Sequence, residues 1–268
     1  MTRIVLITGA AGGIGQAMVA ATLAAGHAVA ALDRDRAGLA ALAAAHPGAA
    51  LQAIAADLAT EEGCRAGVAD AAARFGRVDA VVNNAGIGVS SLRPDAETRT
   101  PSIEEIDGAI WDRFFAINVR APMLLMRAAL PMMRAGGWGR VVNNTTSYRT
   151  MLRVLPYGAA KAALEAASAV WATELAGTGI TVNVLIPGGP TDTPFIGAAA
   201  SWPRDQMLRP AIMGPPLAWL LSDAASGCTG RRIIAARWDG PPAEAGAAGR
   251  EIGWPELGAD AVWLSGGR

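Results

Sequence analysis

The sequence predicts an α/β fold: a doubly wound, parallel β-sheet in a single domain of about seven strands. Three observations carry this expectation. Short apolar runs alternate with longer Ala-rich segments, the order produced when strands alternate with crossover helices. The first run, Ile4-Val5-Leu6-Ile7, is apolar without a break, as expected of a strand covered on both faces. With 268 residues, 52% of them hydrophobic, the chain is long enough to bury one large core.

Strands are expected at residues 3–8, 28–32, 51–55, 79–83, 140–145 and 181–186, with a seventh at 232–236. Helices are expected at 14–25, 36–45, 61–74, 110–134 and 157–175. Pro122 and Pro131 interrupt the fourth helix and are expected to kink or end it. Two irregular stretches, 87–106 and the proline-rich 187–216, break the alternation. The domain is placed at 1–239. Residues 240–268 read as a tail whose Trp254 and Trp263 point to docking on the domain or on a neighbouring subunit.

Lys+Arg and Asp+Glu balance at 23 each, so there is no basic excess to grip a phosphate backbone and no nucleic-acid partner is expected. Cys64 and Cys228 form no motif. No metal site is expected, and a reducing, cytoplasmic setting fits. The apolar N-terminal stretch resembles a secretory leader only superficially, because Gly9, Gly12, Gly13, Gly15 and Gln16 break it where a strand, a loop and a helix would meet. No uninterrupted apolar run reaches the roughly 18 residues of a membrane span, so no membrane association is expected.

The first chemical signal is Thr8-Gly9-Ala10-Ala11-Gly12-Gly13-Ile14-Gly15, between the first strand and the first helix. Glycines let the backbone approach a pyrophosphate, and a helix N-terminus offers free N–H groups. Asp33 ends the second strand, 18 positions after Gly15, where a carboxylate can accept the ribose hydroxyls of NAD and repel the added phosphate of NADP. Arg34 and Arg36 argue the other way, since guanidinium groups bind phosphate. NAD is the favoured cofactor and NADP the alternative.

The second signal is Tyr157-Gly158-Ala159-Ala160-Lys161. An i, i+4 pair shares a helix face, so phenol and ammonium are expected in one site, with the cation lowering the phenol toward neutrality for proton exchange with a substrate oxygen. Lys161 is the sole lysine against 22 arginines, and Tyr148 is the one other tyrosine.

Together these residues resemble the short-chain dehydrogenase/reductase family, over a stretch from Arg3 to about Ala236. The resemblance rests on the glycine loop (Gly9, Gly13, Ile14, Gly15), Asp57-Leu58, Asn83-Asn84-Ala85-Gly86, Asn118, the Tyr157/Lys161 pair, and Pro187-Gly188 with Thr193 downstream. It implies a Rossmann-type fold and NAD-dependent hydride exchange with a secondary alcohol or ketone. It assigns Tyr157 as acid/base and Lys161 to the nicotinamide ribose. Asn118 would support a water linked to Lys161, and a Ser or Thr hydroxyl would orient the substrate oxygen. Asp33, Arg34, Asp57, Leu58, Asn84, Ala85, Gly86, Pro187, Gly188 and Thr193 complete the implied cofactor site. A homotetramer or homodimer is also implied.

The chain departs from the family pattern where the substrate-orienting serine is usual, about 13 positions before the tyrosine. Here Asn143-Asn144-Thr145-Thr146-Ser147 stands in its place. Strand register favours Thr146, only 11 positions before Tyr157, with Ser147 as the alternative. Met151, Leu152, Leu155, Phe195 and Trp202 are expected to make an apolar pocket. Arg149 and Arg153 either meet an anionic substrate group or face solvent. The rival reading is a non-catalytic NAD-binding regulator on the same fold.

Overall fold

A computed structural model describes residues 1–197, 200 and 202–254. Trp263 lies outside the described residues. The elements follow in order: β1 (Ile4–Thr8), α1 (Gly13–Ala24), β2 (Ala28–Asp33), α2 (Arg36–Ala45), β3 (Leu51–Ala55), α3 (Glu61–Phe75) and β4 (Ala80–Asn83). Then come α4 (Gly108–Phe115), a π-helical turn (Ala116–Arg120), α5 (Ala121–Gly136), β5 (Gly139–Asn143), α6 (Tyr148–Met151), α7 (Tyr157–Glu174), β6 (Ile180–Ile186), α8 (Gly214–Leu220), β7 (Arg231–Ile234) and β8 (Arg250–Glu251).

The sheet order is β3-β2-β1-β4-β5-β6-β7-β8. Pairings from β3 to β7 are all parallel, and β8 joins β7 antiparallel. The sheet therefore has eight strands rather than about seven. The eighth is only two residues long, both exposed, and carries none of the apolar pattern by which a strand is read from sequence.

β1 explains the two layers. Its alternate side chains serve opposite faces. Val5 and Ile7 join a core with Met18, Val19, Leu39, Leu217 and Leu220, under α1, α2 and α8. Leu6 joins a second core with Val68, Leu125, Met133 and Leu175, from the α3, α5 and α7 side. Helix starts are capped as the sequence permits. Asp35 accepts from Gly38 N at 3.0 Å, Thr60 from Gly63 N at 3.0 Å, and Asp107 from Ile110 N at 2.8 Å.

The long helix expected at 110–134 is divided. One turn widens to π geometry at Ala116–Arg120, with Asn118 at its centre, and Pro122 follows on the first turn of α5. Proline has no N–H, so Pro122 cannot donate to the carbonyl four residues back, which belongs to Asn118. The widened turn carries the chain past that missing bond. π-turns of this kind recur at functional sites. The strand expected to reach residue 145 ends instead at Asn143, freeing Asn144–Ser147 to leave the sheet. No described helix is long and apolar enough to cross a membrane.

The β1–α1 turn depends on two glycines. Gly9 has φ +63°, and a Cβ there would sit 2.8 Å from the Ala85 Cα. A Cβ on Gly15 would collide with the Gly9 carbonyl oxygen. Gly15→Ala is therefore expected to destabilise the protein by about 1–3 kcal/mol, the range for overpacking a tight site, read as a lower urea midpoint at unchanged m-value.

Candidate active site

The carboxyl ends of β1, β2, β4, β5 and β6 point to one edge of the sheet. The residues that follow them, Gly9, Arg34, Asn84, Asn144 and Pro187, all line one cleft of about 1290 Å³. Open α/β sheets bind ligands at this edge, where the strand order reverses between β1 and β4. The volume exceeds the roughly 300–1,000 Å³ of a usual small-molecule pocket.

At one end of the cleft lies the glycine turn. Gly9, Gly13, Ile14 and Gly15 line it, and Thr193 packs against Gly13 from across the opening. Asp33 is fixed at the end of β2: its carboxylate accepts from Ala11 N and from Asp35 N, both at 3.0 Å. Arg34 lines the same wall, and Asp57 and Leu58 line the floor beyond β3. The Asn84 amide donates to the carbonyls of Thr8 (3.0 Å) and Gly9 (3.2 Å), while the Thr8 hydroxyl accepts from Asn84 N and Ala85 N at 3.0 Å each. These bonds clasp the end of β1 to the end of β4. Ala85, Gly86, Pro187 and Gly188 complete the lining. A turn that only glycine can occupy, a helix N-terminus behind it and a fixed carboxylate at the next strand end fit a dinucleotide.

At the other end stand Tyr157 and Lys161, one turn apart on the first turns of α7 and both facing the cleft. The Lys161 ammonium is buried, 5.8 Å from the Tyr157 ring centre, and donates to the Asn144 carbonyl at 2.9 Å. Burial lowers its pKa to about 8. Tyr157 departs from expectation. Burial raises its pKa well above the ordinary phenol value, the Thr146 side chain pulls it back only in part, and the Glu97 carboxylate adds to the rise. The lowering expected from Lys161 does not appear, and desolvation of the phenol sets the direction.

The structure also separates the two hydroxyls that sequence left open. Thr146 lines the cleft with Tyr157, and its side chain draws the phenol's pKa down. Ser147 caps α6, accepting from Thr150 N at 3.1 Å with its hydroxyl 2.9 Å from that of Thr150, although it too lines the cleft. Asn118 does not line the cleft. It is fully buried behind Gly86, its amide donates to the carbonyls of Ile87 (3.2 Å) and Phe114 (3.1 Å), and its Oδ1 has no partner. A Cβ on Gly86 would meet that oxygen at 2.6 Å and the Lys161 Nζ at 3.4 Å, so glycine is what lets the three groups approach.

The pocket walls differ in part from expectation. Phe195 and Trp202 line the cleft, and the Phe195 ring lies 5.8 Å from that of Tyr157. Met151 turns into the protein, Leu152 is 74% exposed, and neither they nor Leu155 line the cleft; Val154 does. Arg149 and Arg153 are exposed and also line it. Sequence reasoning missed Glu97. It lies in an irregular stretch with no periodicity to place it, so its arrival near Tyr157 depends on the path of the loop.

Comparison with known proteins agrees with this geometry. The short chain dehydrogenase family model matches residues 3–204. Among curated relatives, cis-4-hydroxycyclohexanecarboxylate dehydrogenase of Sinomonas cyclohexanicum is 32% identical over 84% of this chain and 91% of that one. L-fucose dehydrogenase of Oryctolagus cuniculus is 32% identical over 87% of this chain and 83% of its own. Among solved structures, the 3-ketoacyl-(acyl-carrier-protein) reductase of Brucella melitensis, complexed with NADH, superposes with a TM-score of 0.74 at 29% identity, covering 91% of this chain and 97% of that one. With the family model spanning most of the chain, and the glycine turn, Tyr157 and Lys161 on one cleft, the protein belongs to the short-chain dehydrogenase family of oxidoreductases.

Proposed function

We propose that the protein moves a hydride between NAD(H) and a secondary alcohol or its ketone, with Tyr157 exchanging the proton. The observation that carries this reading is the convergence of Tyr157, Lys161 and the Thr146 hydroxyl on the cleft that the glycine turn opens. When bound, the nicotinamide ring supplies or accepts the hydride. Glycines of the β1–α1 turn and the N-terminus of α1 would hold the pyrophosphate, and Asp33 the adenine-side ribose. Asp57, Leu58, Asn84, Ala85 and Gly86 would form the floor, and Pro187, Gly188 and Thr193 would close over the nicotinamide side.

Tyr157 and Thr146 would both bond the substrate oxygen. At neutral pH the raised Tyr157 phenol keeps its proton, the form needed to protonate a carbonyl oxygen during reduction. In the reverse direction it takes the proton of the alcohol. Lys161 would bind the ribose on the nicotinamide side and lend positive charge to a developing phenolate. Asn118 would act behind Gly86, supporting the water that links Lys161 to solvent.

Asp33 supports NAD over NADP, because its fixed carboxylate would face the added phosphate with like charge. Arg149 and Arg153 make no ion pair among the described residues, which supports a substrate bearing an anionic group. So does the relative named for a hydroxycarboxylate. The stacked Trp111 and Phe115 of α4, with half-exposed Met123 on α5 and exposed Val170 on α7, support the homodimer or homotetramer.

Mixing the protein with NAD and a panel of secondary alcohols and hydroxy acids is expected to raise absorbance at the reduced-nicotinamide band, and NADP to work less well. Cofactor binding without turnover across the panel would instead favour the non-catalytic reading. Tyr157→Phe is expected to lower kcat by about 10²–10⁴-fold. Thr146→Ala is expected to lower kcat/KM while Ser147→Ala leaves it near wild type; the opposite pattern would exchange the two roles.

Burial of Lys161 has a pH signature. Its pKa is about 8 when folded against about 10.4 in an unfolded chain. Between these values the unfolded chain binds more protons, so this group's contribution to stability rises with pH. Below about pH 8 both states hold the proton and the cost of burying the charge is present in full. The stability of Lys161→Met relative to wild type is therefore expected to be greatest below pH 8 and to shrink toward pH 10, measured by urea unfolding at stepped pH.

A further inference from the structure

Beneath the cleft lies an ion pair that the chemistry above does not use. Glu165 on α7 and Arg232 on β7 are both 2% exposed, and Arg232 Nη1 meets the two Glu165 oxygens at 2.6 and 2.8 Å. Arg232 uses the rest of its fork on the segment that leaves β5. Nη2 donates to the Thr146 carbonyl at 2.7 Å, and Nη1 reaches the Thr145 hydroxyl at 3.3 Å. That hydroxyl donates to Glu165 at 2.7 Å.

Three consecutive residues past the end of β5 are thus held by side chains of α7 and β7: Asn144 by Lys161, Thr145 by Glu165, and Thr146 by Arg232. The same cluster reaches the C-terminal segment. The Arg232 guanidinium stacks 4.2 Å from the centre of the Tyr148 ring, and the Tyr148 hydroxyl bonds Glu165 at 3.3 Å and the Gly253 carbonyl at 2.5 Å. The ring of Trp254 lies 5.4 Å from that of Tyr148.

Stability alone does not call for this arrangement. Desolvating two charges costs about as much as their attraction returns, and an apolar pair of similar volume often serves a core as well or better. What an apolar pair lacks is a donor for the Thr146 carbonyl, which lies past the last residue of the strand. The planar fork of arginine satisfies Glu165 and that carbonyl together, a geometry that a point-charge ammonium does not reproduce.

We propose that Arg232, clamped by Glu165, is a positioning residue: by holding the Thr146 carbonyl it aims the Thr146 hydroxyl at Tyr157, and through Tyr148 it ties that aim to residues 250–254. The inference rests on the role given above to Thr146 and Tyr157.

Arg232→Met alone leaves Glu165 buried and unpaired and is expected to fold poorly. The tests are therefore the paired replacement E165L/R232M and the charge-retaining R232K. Both are expected to fold, to bind NADH with unchanged affinity by its fluorescence, and to show a displaced Tyr157 ¹³Cζ resonance at pH 7. With only two tyrosines in the chain, Y157F assigns that signal. With the best alcohol from the panel, kcat is expected to fall at least about tenfold while KM stays within about twofold, and T146A in the R232K background is expected to add little further loss. A Tyr157 resonance that stays at its wild-type position in either folded variant overturns the proposal, whatever the turnover. Absence of turnover in the wild-type protein would count against the proposed reaction instead, and leaves the resonance test standing.

Discussion

The clasp between the ends of β1 and β4 is the constraint on which the rest of the site depends. Strand order reverses here, so the helices that follow β1 and β4 depart to opposite faces and a crevice opens at the carboxyl edge. Thr8 and Asn84 close the base of that crevice with four side-chain bonds to backbone. With the two strand ends locked, the glycine turn keeps its path above them and α1 presents its N-terminus to the cleft. Gly86 then lies two residues beyond the clasp, close enough for Asn118 and Lys161 to meet it.

Desolvation governs the electrostatics at the other end. An isolated Tyr–Lys pair in water would be read through charge alone, the ammonium drawing the phenol down. In the fold both groups lose water, so the phenol is driven up and the amine down. Both shifts favour the uncharged forms. Under the proposed reaction the phenol would carry the proton, with Thr146 and the charge of Lys161 favouring the phenolate when one is needed.

Polar groups at the carboxyl edge are satisfied by side chains instead of by strand pairing. Once the chain leaves β5 at Asn143, its carbonyls have no neighbouring strand to bond, and helix α7 and strand β7 supply the partners. One helix therefore does two tasks with successive turns: Tyr157 and Lys161 face the cleft, and Glu165 faces the buried arginine. The same polar cluster accepts the C-terminal segment, so residues 250–254 meet the molecule at the support of the site, not at its mouth.

The parallel sheet, the glycine turn, the Asp33 strand end and the Tyr157/Lys161 pair are written in local pattern, because each rests on contacts within a few residues: an apolar run, a turn residue, an i, i+4 spacing. Three features did not yield to that reading. β8 is too short and polar to carry a periodicity. What sets Thr146 and Ser147 apart in the structure is a helix cap that engages the Ser147 hydroxyl, and the cap belongs to a four-residue helix the pattern does not announce. The direction of the Tyr157 shift depends on burial, which no spacing encodes. The sequence by itself determined the elements and the candidate groups of the site, since short-range backbone preference and side-chain chemistry suffice for those. Only the tertiary structure decided how the groups are solvated and which side chains meet around them, because Glu165 and Arg232 stand 67 residues apart and meet only once β7 joins the sheet.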